Sequence, residues 1–80
     1  MNSSAMTLPE HTMLGAFHAA GAACTVDALA AQTDVTVTSA LRTVKRLAAK
    51  GLVQRASRGG WQLTRRGRVL WETKGTRLTR

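Results

Sequence analysis

Residues 36–50 read TVTSALRTVKRLAAK, and the reading of this stretch decides the rest of the chain. Ala40, Val44 and Leu47 recur at i, i+4 and i+7, with Ala48 beside them, which makes one apolar stripe at helical period. Thr36 can cap such a helix and Gly51 can end it. The opposite side carries Val37, Thr38, Ser39, Arg42, Thr43 and Arg46. Small hydrogen-bonding groups at the start of a helix can approach base edges closely. An arginine further along can reach guanine O6 and N7 bidentately, or a phosphate. The same face would also serve an ordinary solvated surface helix, so its meaning depends on what surrounds it.

The surroundings are strongly basic. The chain has 80 residues, enough for one domain with a small core, and a formal net charge of +8. All twelve Lys and Arg residues lie in 41–80, where Glu72 is the only acid, giving that half +11. Residues 1–40 hold Glu10, Asp27 and Asp34 and no base, giving −3. A half so uniformly charged repels itself, and a polyanionic partner such as double-stranded DNA relieves that repulsion. A membrane surface would want a bulky apolar helix face, whereas the face here is small and Ala/Val-rich. No run approaches the ~18 apolar residues of a membrane span, and no secretory signal opens the chain. One cysteine cannot make an internal disulfide, so a reducing, cytoplasmic setting is expected.

Outward from residues 36–50, the chain divides into short elements. Residues 1–6 are expected to be disordered. Thr7–Ala20 reads as a helix with Pro9 and Glu10 in its first turn, Met13, Leu14, Phe17 and Ala20 inward, and Gly21 as its stop. Thr25–Gln32 reads as a second helix, with Thr25 as cap and Val26, Leu29 and Ala30 inward. Thr33-Asp34-Val35 is a tight turn, and Val35 is expected to peg it between the two helices. After Gly51, Leu52–Ser57 and Trp61–Thr64 read as two strands joined at Arg58-Gly59-Gly60. Val53 is expected to point inward, with Trp61 and Leu63 on the other face. Thr64 then caps a last helix, Arg65–Lys74, with Val69, Leu70 and Trp71 packing back, and residues 75–80 form a basic tail. Residues 7–74 thus make the domain: mainly α with a small β-hairpin, a three-helix bundle, a two-stranded wing and a C-terminal helix, which is a winged helix-turn-helix.

At this point TVDALAAQTDVTVTSALRTVKRLAAKGLVQR resembles the DNA-binding domain of MarR- and ArsR-type bacterial regulators. The likeness rests on Leu29-Ala30, on Val35-Thr36, on Leu47–Val53, and on Leu63–Glu72 (LTRRGRVLWE), which is similar to the passage from wing to helix in MarR-type proteins. It implies that Thr36–Lys50 is the recognition helix and that Arg58–Gly60 with Arg55 is a wing touching the minor groove or phosphates. It also implies transcriptional repression. Asp34 departs from the pattern, standing where a turn glycine is common. The flanking helices that dimerise full-length MarR-type proteins and enclose an effector have no counterpart in this length, so no small-molecule effector is expected. ArsR-type metal sensing needs a Cys/His cluster that one Cys and two His do not supply, so neither metal nor cofactor is expected.

Three function classes remain open. The first is a sequence-specific DNA-binding regulator whose contacts are Thr36, Val37, Thr38, Ser39, Arg42, Thr43, Lys45, Arg46, Lys50, Arg55, Arg58 and Gly59. It would act as a homodimer on an inverted repeat, with Leu70 and Trp71 as the dimer contact, although Trp71 would equally suit the intramolecular core. The second is a winged-helix module for protein contact within a larger nucleic-acid or polymerase complex, docking through its acidic half and gripping DNA without sequence preference. The third, an RNA or single-strand binder, wants stacking aromatics, and the chain has only Phe17, Trp61 and Trp71. No catalytic constellation is evident: no carboxylate pair, Cys/His pair or phosphate-cradling glycine loop appears, so an enzyme is not expected. His11 and His18 share a helix face as surface or half-buried residues, and Cys24 reads as a small buried residue rather than a reactive thiol.

Overall fold

The computed structural model describes residues 7–75. The elements run α1 (Leu8–Ala20), α2 (Val26–Thr33), α3 (Val37–Ala49), β1 (Val53–Arg55), β2 (Trp61–Leu63) and α4 (Arg65–Leu70), followed by a π-helical turn over Trp71–Gly75. The start expected at 1–6 and the tail from 76 onward lie outside the described residues.

Each of the four α-helices begins on a threonine. The hydroxyls of Thr7, Thr25, Thr36 and Thr64 accept from the backbone N–H of Glu10, Ala28, Ser39 and Gly67 respectively, at 3.0–3.3 Å. At α1 the Glu10 carboxylate also accepts from the Thr7 N–H at 3.1 Å, closing a capping box. Asp34 ends α2 in the left-handed region (φ 59°), as its short polar side chain allows. These caps explain why three short helices join through turns of only a few residues without losing their boundaries.

The core is where the periodicity places it. Met13, Leu14 and Phe17 of α1, Leu29 and Ala30 of α2, and Ala40, Val44 and Leu47 of α3 are buried together with Leu52 and Val53. Three expected inward residues are exposed. Ala20 sits exposed in the last turn of α1, beyond the reach of the packing helices. Val35 is 41% exposed, because the turn is pinned by backbone instead: the Val35 N–H donates to the Ala30 carbonyl at 3.0 Å. Val69 is 52% exposed, because α4 turns Gly67 and Leu70 inward and Val69 falls on the opposite side.

The hairpin is shorter than expected. β1 and β2 pair antiparallel as Val53↔Leu63, Gln54↔Gln62 and Arg55↔Trp61. Directly opposed residues share a face, so Trp61 and Leu63 lie on the same side as Val53 rather than across from it. The loop closes early because the Ala56 N–H donates to the Gly60 carbonyl and the Gly59 N–H to that of Ala56. Gly59 and Gly60 supply the positive φ that closure needs, at 98° and 78°. The sheet also gains a bridge no hairpin motif announces: Cys24, in the α1–α2 link, pairs antiparallel with Trp61.

α4 crosses the root of the hairpin on a glycine. Gly67 packs so tightly against the Leu52 carbonyl that a side chain there would overlap it. The Thr64 hydroxyl donates to the Gly51 carbonyl at 2.7 Å, and the Thr64 N–H donates to that of Leu52. Past Leu70 the helix widens, and the Trp71 indole lies directly over Gly15 between His11 (ring centroids 5.0 Å) and His18 (6.0 Å).

Candidate nucleic-acid interface

α3 is two-sided. Ala40, Val44 and Leu47 are fully buried, and Thr36, Val37, Thr38, Ser39, Arg42, Lys45 and Arg46 are exposed. Two of the small hydroxyls are already occupied locally. Thr36 spends its oxygen on the cap, and half-buried Thr43 donates to the Ser39 carbonyl at 3.1 Å. Val37, Thr38, Ser39, Arg42, Lys45 and Arg46 therefore form the outward surface available to a ligand. It begins with a methyl-bearing, hydroxyl-bearing turn and ends in three cations.

Lys50 is placed differently from the other cations. Its Nζ donates to Glu10 Oε1 at 2.8 Å, the carboxylate buried and the lysine partly so. Burial pushes the Glu10 carboxyl up. The hydrogen bonds from Lys50 and Thr7, with the charges of Lys50 and Arg46, outweigh that, and the net effect holds it below the ordinary glutamate value. This pair ties the start of α1 to the end of α3.

In the wing, Arg55 is exposed and its guanidinium lies 5.5 Å from the centre of the Trp61 ring. Arg58 and Gly59 are exposed at the tip. Three cations outside the contact set expected from sequence, Arg65, Arg66 and Arg68, are exposed on α4, with the Arg66 side chain beside Gly51 where α3 ends. Their signal is the run TRRGR, which in sequence reads as the passage from wing to helix rather than as a contact surface. Leu70 and Trp71 are both half-buried within one chain.

The remaining polar groups offer little else. Burial raises the Cys24 thiol above its ordinary value, and its Sγ donates to the Ala22 carbonyl. Among the described residues no three His, Cys, Asp or Glu side chains converge to hold a metal, and no helix is long and apolar enough to cross a membrane. A cleft of about 300 Å³ opens beside α1, lined by Phe17, His18, Gln62, Leu63, Arg68 and Glu72.

Two helices packed against a third whose outer side is exposed, and a wing rooted at its exit, define the winged helix-turn-helix class. The MarR family model matches residues 6–60, more than half of the chain, and the chain belongs to the MarR family. It is similar to NadR, solved in complex with 4-hydroxyphenylacetate: TM-score 0.84 and 25% identity, covering 98% of this chain and 59% of NadR. It is also similar to the MarR family transcriptional regulator SPO1453 from Silicibacter pomeroyi DSS-3: TM-score 0.81 and 26% identity, covering 92% of this chain and 55% of the other. MepR of S. aureus, solved with ethidium bromide bound, shares the fold: TM-score 0.82 and 19% identity, covering 99% of this chain and 61% of MepR. The chain thus spans little more than half the length of these structures. No protein of curated function matches it.

Proposed function

We propose that this chain binds double-stranded DNA sequence-specifically as a transcriptional regulator, in the sense of a cytoplasmic repressor. The observation that carries the reading is the two-sidedness of α3: one flank locked in the core, the other presenting Val37, Thr38, Ser39, Arg42, Lys45 and Arg46 to solvent. A helix held rigidly from behind, with small groups first and cations after, matches what a major groove offers to an inserted helix. Arg42 and Arg46 read bases, and a thymine methyl accepts Val37 or the Thr38 methyl. Lys45, Arg55 and Arg58 grip phosphates, with Gly59 letting the wing backbone come close. Thr36 and Thr43 shape the helix, and Lys50 serves its ion pair with Glu10.

A monomer of this size reads a short site, so the reading includes a homodimer on an inverted repeat, with the free parts of Leu70 and Trp71 as its contact. It includes no small-molecule effector. NadR and MepR carry small molecules in their structures, and a rise in melting temperature with 4-hydroxyphenylacetate or ethidium would add one. The decisive test is selection of bound duplexes from a random DNA pool at near-physiological salt, followed by sequencing. An enriched inverted repeat supports a dimeric regulator and supplies its operator. Retention without enrichment refutes base readout and leaves only phosphate binding.

A further inference from the structure

We propose that Trp61 is a positioning residue of the DNA interface: it holds the Arg55 guanidinium in place and acts through it. The inference rests on the DNA-binding reading above and adds a residue that touches no DNA itself.

The geometry comes from the register. Arg55 and Trp61 are directly opposed across the hairpin, so their side chains rise from the same face at neighbouring points. The guanidinium lies 5.5 Å from the ring centre, inside the ~6 Å range of a cation–π contact. A planar guanidinium stacks on an aromatic face and keeps its in-plane N–H groups free for an anion. Arg55 takes part in neither ion pair among the described residues, so no carboxylate competes for those donors.

The backbone that carries the ring is itself anchored from behind. The Trp61 N–H donates to the Cys24 carbonyl and the Cys24 N–H to that of Trp61, both at 2.7 Å. Gly60 makes this approach possible, since a Cβ there would stand 2.7 Å from the Cys24 oxygen. The indole also packs against the core cluster. A wing arginine otherwise loses its side-chain freedom when it grips a phosphate, which weakens binding. Stacking on an anchored ring removes part of that freedom beforehand. Among the described residues no aromatic ring supports Arg58, at the tip, in the same way.

The test is a double-mutant cycle on the whole chain, read by fluorescence anisotropy with a labelled duplex across a salt series. Trp61→Leu, Arg55→Gln and the double variant are compared with the unaltered chain, and Trp61→Phe serves as the conservative variant if the leucine variant melts too low. Arg55→Gln is expected to lower the salt slope by about one. Trp61→Leu is expected to weaken binding about two- to fivefold, the equivalent of an exposed cation–π contact, and to lower the salt slope in the same direction. That loss should vanish in the Arg55→Gln background, and Trp61→Phe should retain most of the affinity. A Trp61→Leu loss that persists in full without Arg55, or that leaves the salt slope unchanged, overturns this role alone. Failure of the unaltered chain to bind any duplex overturns the DNA-binding reading and this role with it.

Discussion

Replacing Glu10 with Gln tests whether its half-buried ion pair with Lys50 holds the end of α3. The Glu10 side chain is 4% exposed and that of Lys50 30% exposed. Breaking a fully buried pair costs about 3–5 kcal/mol, whereas exposed pairs contribute about 0–1 kcal/mol. Here the carboxylate is inside, but the ammonium can turn toward solvent once released. Gln also keeps an oxygen for the Thr7 N–H, so the cap survives. The remaining loss is the charge-assisted part of the Lys50 contact, about 1–2 kcal/mol. For a domain of this size that lowers the melting temperature by roughly 5–15 °C.

The pH dependence gives the argument a sign. The folded Glu10 carboxyl is held below its ordinary value by Lys50 and Thr7 against the opposing effect of burial. A depressed carboxylate contributes its full stability above the unfolded value, about 4.3, and loses it as pH falls through the lower folded value. Urea denaturation followed by circular dichroism should therefore find Glu10→Gln clearly less stable than the unaltered chain near neutrality. The gap should narrow as pH falls below the unfolded value and close below the lower folded one, where the unaltered carboxyl is protonated as well. Equal stability at neutrality, or a gap that stays constant into acid, refutes the reasoning. A companion measurement with Lys50→Met should show lower stability but an unchanged salt slope for duplex binding, since this lysine is engaged by Glu10.

Three further outcomes are expected. Gly67→Ala should destabilise the chain by about 1–3 kcal/mol in urea melts, although helix propensity alone would favour alanine by about 1 kcal/mol, because a Cβ at Gly67 would overlap the Leu52 carbonyl; a stabilised variant would show that α4 can shift freely. Arg42→Ala should cost roughly 1–3 kcal/mol at one base position and relax specificity there, and an unchanged enriched motif would remove Arg42 from base readout. Arg58→Ala should weaken all duplexes alike and lower the salt slope by about one, whereas a loss confined to one sequence would mean that the wing tip reads bases.

Much of the fold was legible because its signals are local. A threonine cap needs only its own helix start, so four boundaries could be read from Thr7, Thr25, Thr36 and Thr64. The stripe Ala40, Val44, Leu47 needs only the period of one helix, and all three residues are buried. The errors occur where a local pattern meets a tertiary limit. Val69 continues an apolar run in sequence, yet α4 presents Gly67 to the Leu52 carbonyl and thereby turns Val69 outward. Val35 looks apolar enough to pin a turn, but a backbone hydrogen bond to Ala30 performs that task without burying it.

What could not be read is what holds the candidate interface in place. Glu10 and Lys50 are 40 positions apart, and in sequence Glu10 is fully accounted for as a helix-start acid. Cys24 and Trp61 meet only because the α1–α2 link lies along the open edge of the hairpin, and edge pairing through backbone atoms leaves no side-chain signature. Yet these two contacts secure the elements proposed to face DNA: one ties the exit of α3 to the start of α1, and the other ties β2 to the end of the α1–α2 link. Both supports lead back to α1 or to the segment just after it. A shift of α1 would therefore act on α3 and the wing together. In a domain with so small a core, that shared support lets α3 and the wing keep one relative orientation while each presents exposed cations that would otherwise drive them apart.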